Sequence, residues 1–422
     1  MPAPPHARTD LAILVVLALL TNFAYLWGTN DYYFPDSETY IAPALQLLHG
    51  HGFLTDDGVI ETLRTPGYPL FLLPFVALTK SAVPIVVVQH LFNALLAAAI
   101  YLLARRRTSR FVALLAGVFF AIDPTTVHNA NKVLTENLFT LVLFALFALV
   151  LRVAESKRTR DLVIAAVLAG ALVLIRPVAI AFFAVIALFL IRRIEWRRIA
   201  VFVAIAASIP CGWAARNAYH TGVFTISSIA GANMILYRAA GAIAMENDGE
   251  FKDELAIEQR QLVDAADAEI EDAMHIPDAE ELPHAEASRE YGRIARRTIL
   301  EHPRGAVMVT LRGVLVNLFD SDWDSIMVVS IVDSSTVQLA IDAWTVVIFV
   351  FAVIGFFALW QRDRTLALLA GLTIGYFIVI SAGGEAEARF RVPIVPQYAI
   401  VAAAGVEAAI RGIRSSASLA PR

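Results

Sequence analysis

The stretch DLVIAAVLAGALVLIRPVAIAFFAVIALFLIRR, residues 161–193, decides the fold. Two apolar runs, 161–175 and 178–191, meet at Arg176-Pro177 and end in Arg192-Arg193. Neither run has a polar face, which is what a bilayer selects. A proline here favours a tight turn between two helices over one continuous rod. The unit is a membrane hairpin.

Outward from it, similar runs recur from residue 11 to residue 410. The chain of 422 residues is 58% hydrophobic and only 17% charged, with a mean hydropathy of +0.65. Soluble chains are roughly 45–50% apolar and about 25% charged. The composition excludes a disordered protein, argues against a soluble enzyme, and fits an all-α polytopic membrane protein. Spans are predicted near 11–28, 83–104, 111–122, 137–153, 161–175, 178–191, 199–215, 342–360, 365–381 and 392–410, about ten in all with twelve as an upper bound. Several fall short of the ~20 residues that a perpendicular helix needs. The first run is read as a retained anchor, because no A-x-A site follows it. The single cysteine, Cys211, excludes an intrachain disulfide and a Cys-based metal site.

Net charge is −4, but residues 246–304 alone hold 17 acids and 7 bases. A membrane body with basic edges therefore carries one acidic polar insert, read as amphipathic helices with a solvated face. Short basic linkers sit at 105–107, 157–160, 192–198 and 362–364. They alternate with 29–82, 123–136, 216–341 and 382–391, so the basic set is placed in the cytoplasm with both termini and the other set outside. Residues 305–319 are apolar enough to cross, but one extra crossing would invert the 362–364 linker. An interfacial helix is preferred there, or else half of an in-and-out pair with 326–340. No internal repeat or nucleic-acid footprint is visible.

The polar groups that stand out are external. The first loop carries Pro35-Asp36-Ser37-Glu38-Thr39-Tyr40, then His49-Gly50-His51-Gly52, then Arg64-Thr65-Pro66-Gly67-Tyr68-Pro69. Two short helices on the membrane surface account for its pattern. The bland role of Asp36 is an N-cap bonded to the Thr39 N–H. His49 and His51 have no third ligand near them, which is too few for a metal site. In the second loop Lys132 and Glu136 are four apart and would share a helix face as an ion pair. A carboxylate at a span mouth is otherwise costly. Arg389 and Arg391 precede the last span on the side where positive charge is disfavoured, which points to a bound anion such as a lipid phosphate.

Taken in order, Asp36-Ser37-x-x-Tyr40, Arg64-Thr65-Pro66-Gly67-Tyr68-Pro69, Leu134-Thr135-Glu136-Asn137, Arg176-Pro177, Trp213-Ala214-Ala215-Arg216-Asn217, Ser228-Ile229-Ala230-Gly231-Ala232-Asn233 and Glu387-Ala388-Arg389-Phe390-Arg391-Val392-Pro393 resemble the C-type glycosyltransferases. The chain is similar to the branch of protein O-mannosyltransferases and the lipid A aminoarabinose transferase. The resemblance implies a sugar donor carried on a polyprenyl phosphate and a lipid, glycan or protein hydroxyl as acceptor. It implies Asp36 as catalytic base and Glu136 as the assisting carboxylate, orienting the acceptor or holding a divalent ion. Arg389, Arg391, Arg216, Lys132 and Arg64 are then the donor-phosphate candidates, with Arg389 foremost. Tyr40, Tyr68, Glu387 and Asn131 are expected in the substrate pocket. No metal ligand set and no cofactor is required, although a divalent cation is compatible.

Such a transfer needs one base and no general acid, because phosphate leaves as a stable anion. A single in-line displacement inverts the anomeric centre. The expected organisation is a transmembrane catalytic module over 1–245 including loop 29–82, the external acidic insert 246–304, and an interfacial helix with the last spans over 305–422. The protein would sit in the inner or plasma membrane with its site on the non-cytoplasmic face. A lipid transporter or flippase would instead place polar groups at mid-membrane in broken helices. A non-catalytic scaffold leaves the acids and arginines at the span mouths unexplained.

Overall fold

The computed structural model describes residues 5–321 and 334–418. Among these, extended chain pairs only in one isolated bridge, Leu54 with Ile60, inside the first long loop. Everything else that is regular is helical. The amino-terminal half runs α1 (Pro5–Gly28), α2 (Ser37–Leu48), α3 (Gly67–Leu78), α4 (Val83–Arg105), α5 (Arg110–Ala121), α6 (Pro124–Ala130), α7 (Glu136–Ser156), α8 (Thr159–Ile175), α9 (Phe182–Leu190) and α10 (Trp196–Thr221). The rest comprises α11 (Ile229–Asn233), a π-helix (Met234–Ala239), α12 (Ala240–Ala244), α13 (Phe251–Met274), α14 (His284–Glu301), α15 (Pro303–Phe319), α16 (Ser334–Arg362), α17 (Arg364–Ile380) and α18 (Val395–Ser418).

This is an all-α polytopic membrane fold. Among the described residues six helices are long and apolar enough to cross a bilayer, or seven if α5 and α6 form one broken span. Each of the ten predicted spans overlaps a helix, but α8, α9 and α17 have only 17, 9 and 17 residues. The expected span at 111–122 bends by 50° into α6. Asp123-Pro124 causes the break: the Asp123 carboxylate accepts the Thr126 N–H at 2.9 Å and starts a new helix. The 305–319 segment is the 17-residue α15, packed against α12, α16 and α17. Of its expected partner, 326–340, residues 326–333 lie outside the described residues.

Two helical ends face opposite ways, and ion pairs define one of them. Arg110 holds Asp10 at 2.7 Å, Arg107 holds Asp363 at 2.8 Å and also Glu155, and Arg362 holds Glu407 at 2.7 Å. These contacts gather the start of α1, the turns α4–α5 and α16–α17, and the ends of α7 and α18. Three of the basic linkers therefore share one end of the bundle with those termini. The candidate residues on loops 29–82, 123–136 and 382–391 emerge at the other.

α16 crosses α18 at close backbone range, and glycine makes it possible. A Cβ on Gly355 would lie 1.8 Å from the Val401 carbonyl oxygen, and one on Gly405 1.9 Å from that of Phe351. Membrane helices without a hydrophobic drive between them rely on such close backbone contact. Gly405→Leu is therefore expected to destabilise the chain by about 1–3 kcal/mol or more through overpacking. A lower midpoint of thermal unfolding in detergent checks it; an unchanged midpoint contradicts the packing.

Candidate active site

The site begins where α1 ends. The chain leaves Gly28, crosses the mouth of the bundle, and turns into α2 at Asp36. Two bonds hold this approach to the loop before α7: Val133 N–H donates to Tyr32 O at 2.8 Å, and Ser37 Oγ donates to Val133 O at 3.0 Å. Ser37 is fully buried and its Oγ also accepts the Phe34 N–H at 2.8 Å. From the other side Gln89 of α4 donates to Ala130 O at 3.0 Å and Lys132 O at 2.7 Å, while accepting from Tyr68 at 2.8 Å. These struts set the separation between the loop that carries Asp36 and the helix that carries Glu136.

Asp36 occupies the N-cap position of α2 but does not cap it. Its backbone is already helical (φ −72, ψ −20) and no capping bond forms. The carboxylate points instead to two arginines distant in sequence. Arg64 Nη2 donates at 2.8 Å and Arg389 Nη1 at 3.3 Å, one to each oxygen. Arg64 is aimed by Thr39 Oγ1 at 2.8 Å and lies 4.6 Å over the Tyr40 ring. Arg389 is paired with Glu387 at 2.6 Å and lies 4.4 Å over the Phe34 ring. Burial pushes the Asp36 pKa up, but the charges and bonds of Arg64 and Arg389 outweigh it and hold the carboxyl below its ordinary 3.8.

Glu136 is the first residue of α7 and its side chain is only 2% exposed. The pairing with Lys132 expected from sequence does not occur. Residues 131–135 form a turn, so the helical spacing that would align the two never exists. Lys132 pairs with Asp31, and Glu136 pairs with Arg176 at 2.6 Å. Arg176 arrives at the same mouth because α7 and α8 are antiparallel neighbours, and its guanidinium rests between the Phe139 and Phe390 rings.

Asp36, Tyr40, Arg64, Glu136, Arg176, Glu385, Glu387 and Arg389 line one cavity of about 240 Å³. It adjoins a larger one of about 600 Å³, and the two share Arg176, Ile229, Asn233, Glu385 and Phe390. The larger cavity is walled by Ile180, Met234, Val309, Val379 and Ile380. Every guanidinium in the smaller cavity touches a carboxylate, as burial of charge at a membrane boundary requires.

Other expected residues lie outside the smaller cavity. Arg391 is buried and donates to the carbonyls of Asn317, Leu318 and Asp320 at 3.0–3.1 Å, which ends α15. Arg216 donates to the carbonyls of Glu61 and Phe53, at 2.8 and 2.9 Å. Tyr68 sits beneath Tyr40, with ring centroids 5.3 Å apart, and Asn131 is buried against His90 and Asp31 O. His51 bonds to Gln46 at 2.8 Å. Sequence reasoning set Arg176 at the turn of a membrane hairpin without giving it a partner, and it missed Tyr237 and Arg238. Arg238 grips Glu385 at 3.0 Å. Both residues belong to the π-helix, whose i→i+5 register a 3.6-residue pattern does not reveal.

Comparison with known proteins agrees with this architecture. Residues 64–211 match the family of dolichyl-phosphate-mannose-protein mannosyltransferases. Among solved structures, the oligosaccharyltransferase AglB from Archaeoglobus fulgidus, in complex with an inhibitory peptide and a dolichol-phosphate, superposes with a TM-score of 0.52 at 11% identity over 98% of this chain and 51% of its own. The oligosaccharyltransferase from the same organism tethered to an acceptor peptide also scores 0.52, at 13% identity and the same coverages. The chain resembles the C-type glycosyltransferases. It spans about half the length of these oligosaccharyltransferases. A search of curated proteins found no match. The family match takes in Arg64, Glu136 and Arg176 but stops short of Asp36 and Arg389, which only the fold brings to them.

Ser37 is the strut between the two halves of this mouth, so Ser37→Ala should strand the Phe34 N–H and lower stability by about 1–3 kcal/mol. Thermal unfolding of the purified variant measures this, and a loss within error would remove Ser37 from that role.

Proposed function

We propose that the chain is an inverting glycosyltransferase that moves a sugar from a polyprenyl-phosphate donor to a hydroxyl acceptor at the non-cytoplasmic face of the inner or plasma membrane. One observation carries this reading. Asp36 is gripped by two arginines in a polar cavity that opens onto a larger apolar one, so a base, phosphate-binding cations and room for a lipid chain adjoin. The basic linkers gathered at the opposite end support the sidedness, because such clusters stay in the cytoplasm.

The geometry supports a simple sequence of events. Donor phosphate draws Arg389 and Arg64 away from Asp36, exchanging one anion for another. The freed carboxylate takes the proton of the acceptor hydroxyl as its oxygen attacks the anomeric carbon. The bond from that carbon to the phosphate oxygen breaks, and the lipid phosphate departs as an anion held by the same arginines. No second proton transfer is needed. Glu136, fixed by Arg176, orients the acceptor.

The donor set at these carboxylates suits guanidinium better than a divalent ion. Asp36 and Glu136 both face arginines, and among the described residues no three His, Cys, Asp or Glu side chains gather to bind a metal.

Asp36→Asn should abolish transfer, measured with a lipid-linked sugar donor, while the protein folds normally; retained activity would move the base elsewhere. A positioned base contributes roughly 10²–10⁴-fold. Because Asp36 is held below 3.8, it stays ionised as pH falls through the neutral and mildly acidic range. The acid limb that it imposes on kcat/KM should lie below pH 3.8. Arg389→Lys keeps the charge but loses the fork, and should raise the apparent donor KM about tenfold or more. An unchanged donor KM would assign the phosphate to Arg64 or Arg176.

A further inference from the structure

A second recess lies at the opposite end of the bundle, and the proposed transfer does not use it. It has a volume of about 410 Å³ and is framed by α4, α7 and α8. Its floor is one face of α7, where Ala145 and Ala148 stand three residues apart and set the surface back. Leu103 and Leu168 form apolar walls, and Arg106, Arg107, Arg152 and one acid, Glu155, line the rim.

The charges are unequal in their commitments. Arg107 is held by Asp363 and Glu155. Arg152 meets Asp161 through Nε at 2.9 Å, and its side chain remains 55% exposed. Arg106 is exposed and makes no ion pair among the described residues. The linkers that frame the recess, 105–107 and 157–160, carry six cations and no acid. Just beyond the apolar walls, Leu102 and Ile164 are exposed at 46% and 39%, as lipid-facing side chains are.

We propose that this recess holds an acidic glycerophospholipid, with its phosphate at Arg106 and Arg152 and an acyl chain along the Leu103–Leu168 walls. A free phosphate would have no use for the apolar wall, and a zwitterionic lipid gains little from a rim on which Arg106 has no ion pair among the described residues and Arg152 stays 55% exposed. An anionic headgroup joined to a hydrocarbon chain satisfies both. Basic recesses between helices on the cytoplasmic side recognise lipids by this combination. The inference is independent of the sugar-transfer reading, because no residue of the recess belongs to the other cavity.

The test uses the full chain in nanodiscs of equal phosphatidylcholine and phosphatidylglycerol, released into the gas phase, with the retained lipids counted by native mass spectrometry. Wild type should retain phosphatidylglycerol selectively. Arg106→Gln should reduce that selectivity about fivefold, the scale of one cation near an anionic headgroup. Ala148→Trp keeps every charge but fills the recess, and should abolish retention. Arg197→Gln removes an equal charge from another basic linker and should change nothing. Equal retention of both lipids by wild type overturns the proposal. So does an equal loss in Arg197→Gln, which would mean general surface charge, or full retention by Ala148→Trp.

Discussion

The candidate site depends on one carboxylate shared by two arginines. Asp36 follows the first span and Arg389 precedes the last, so the contact closes almost the whole chain into a ring. At a membrane boundary an unpaired carboxylate is expensive, and so is an unpaired guanidinium. Each partner stabilises the burial of the other, which fixes how the ends of the bundle meet. Glu136 and Arg176 repeat the arrangement one helix pair away. The polar cavity between these pairs is what remains after the charges have satisfied one another.

This pairing lets the mouth be stable and still able to exchange partners. An anionic ligand offers the arginines an equivalent partner, so it can release Asp36 without stranding a buried charge. The neutral struts beneath, Ser37 to Val133 and Gln89 to the 130–132 carbonyls, do not take part in that exchange. They hold the loops at a constant separation while the ion pairs re-form. The opposite end of the bundle is built on the contrary principle. Its arginines outnumber the acids that hold them, which leaves cations facing the bilayer.

Much of the fold was legible in the residues. Runs without a polar face announce membrane helices whatever their neighbours, and the basic linkers order them by side. Asp36, Arg64, Glu136, Glu387 and Arg389 stood out because charge at a span mouth has a high cost. Arg391, Arg216 and Lys132 met the same criterion, and Tyr68 and Asn131 were expected from the resemblance, yet all five lie outside the smaller cavity. Their charges and hydrogen bonds serve loop carbonyls, Asp31 and buried helix contacts. One-dimensional position does not distinguish an arginine facing a cavity from one ending a helix.

The residues alone were enough for the all-α membrane class, the approximate positions of the helices and the end of the bundle where the acids and arginines of the cavity collect. These follow from local hydropathy, proline and charge, which act within a few residues. Partner choice was decided only in three dimensions. Lys132 was one helical turn from Glu136 on paper, but a turn in place of that helix sent it to Asp31 and left Glu136 to Arg176. Asp36 left its cap for arginines 28 and 353 residues away. Arg238 entered the site through a π-helical register. Long-range ion pairs depend on how helices cross, and crossings are set by contacts such as Gly355 on Gly405, which no local pattern encodes.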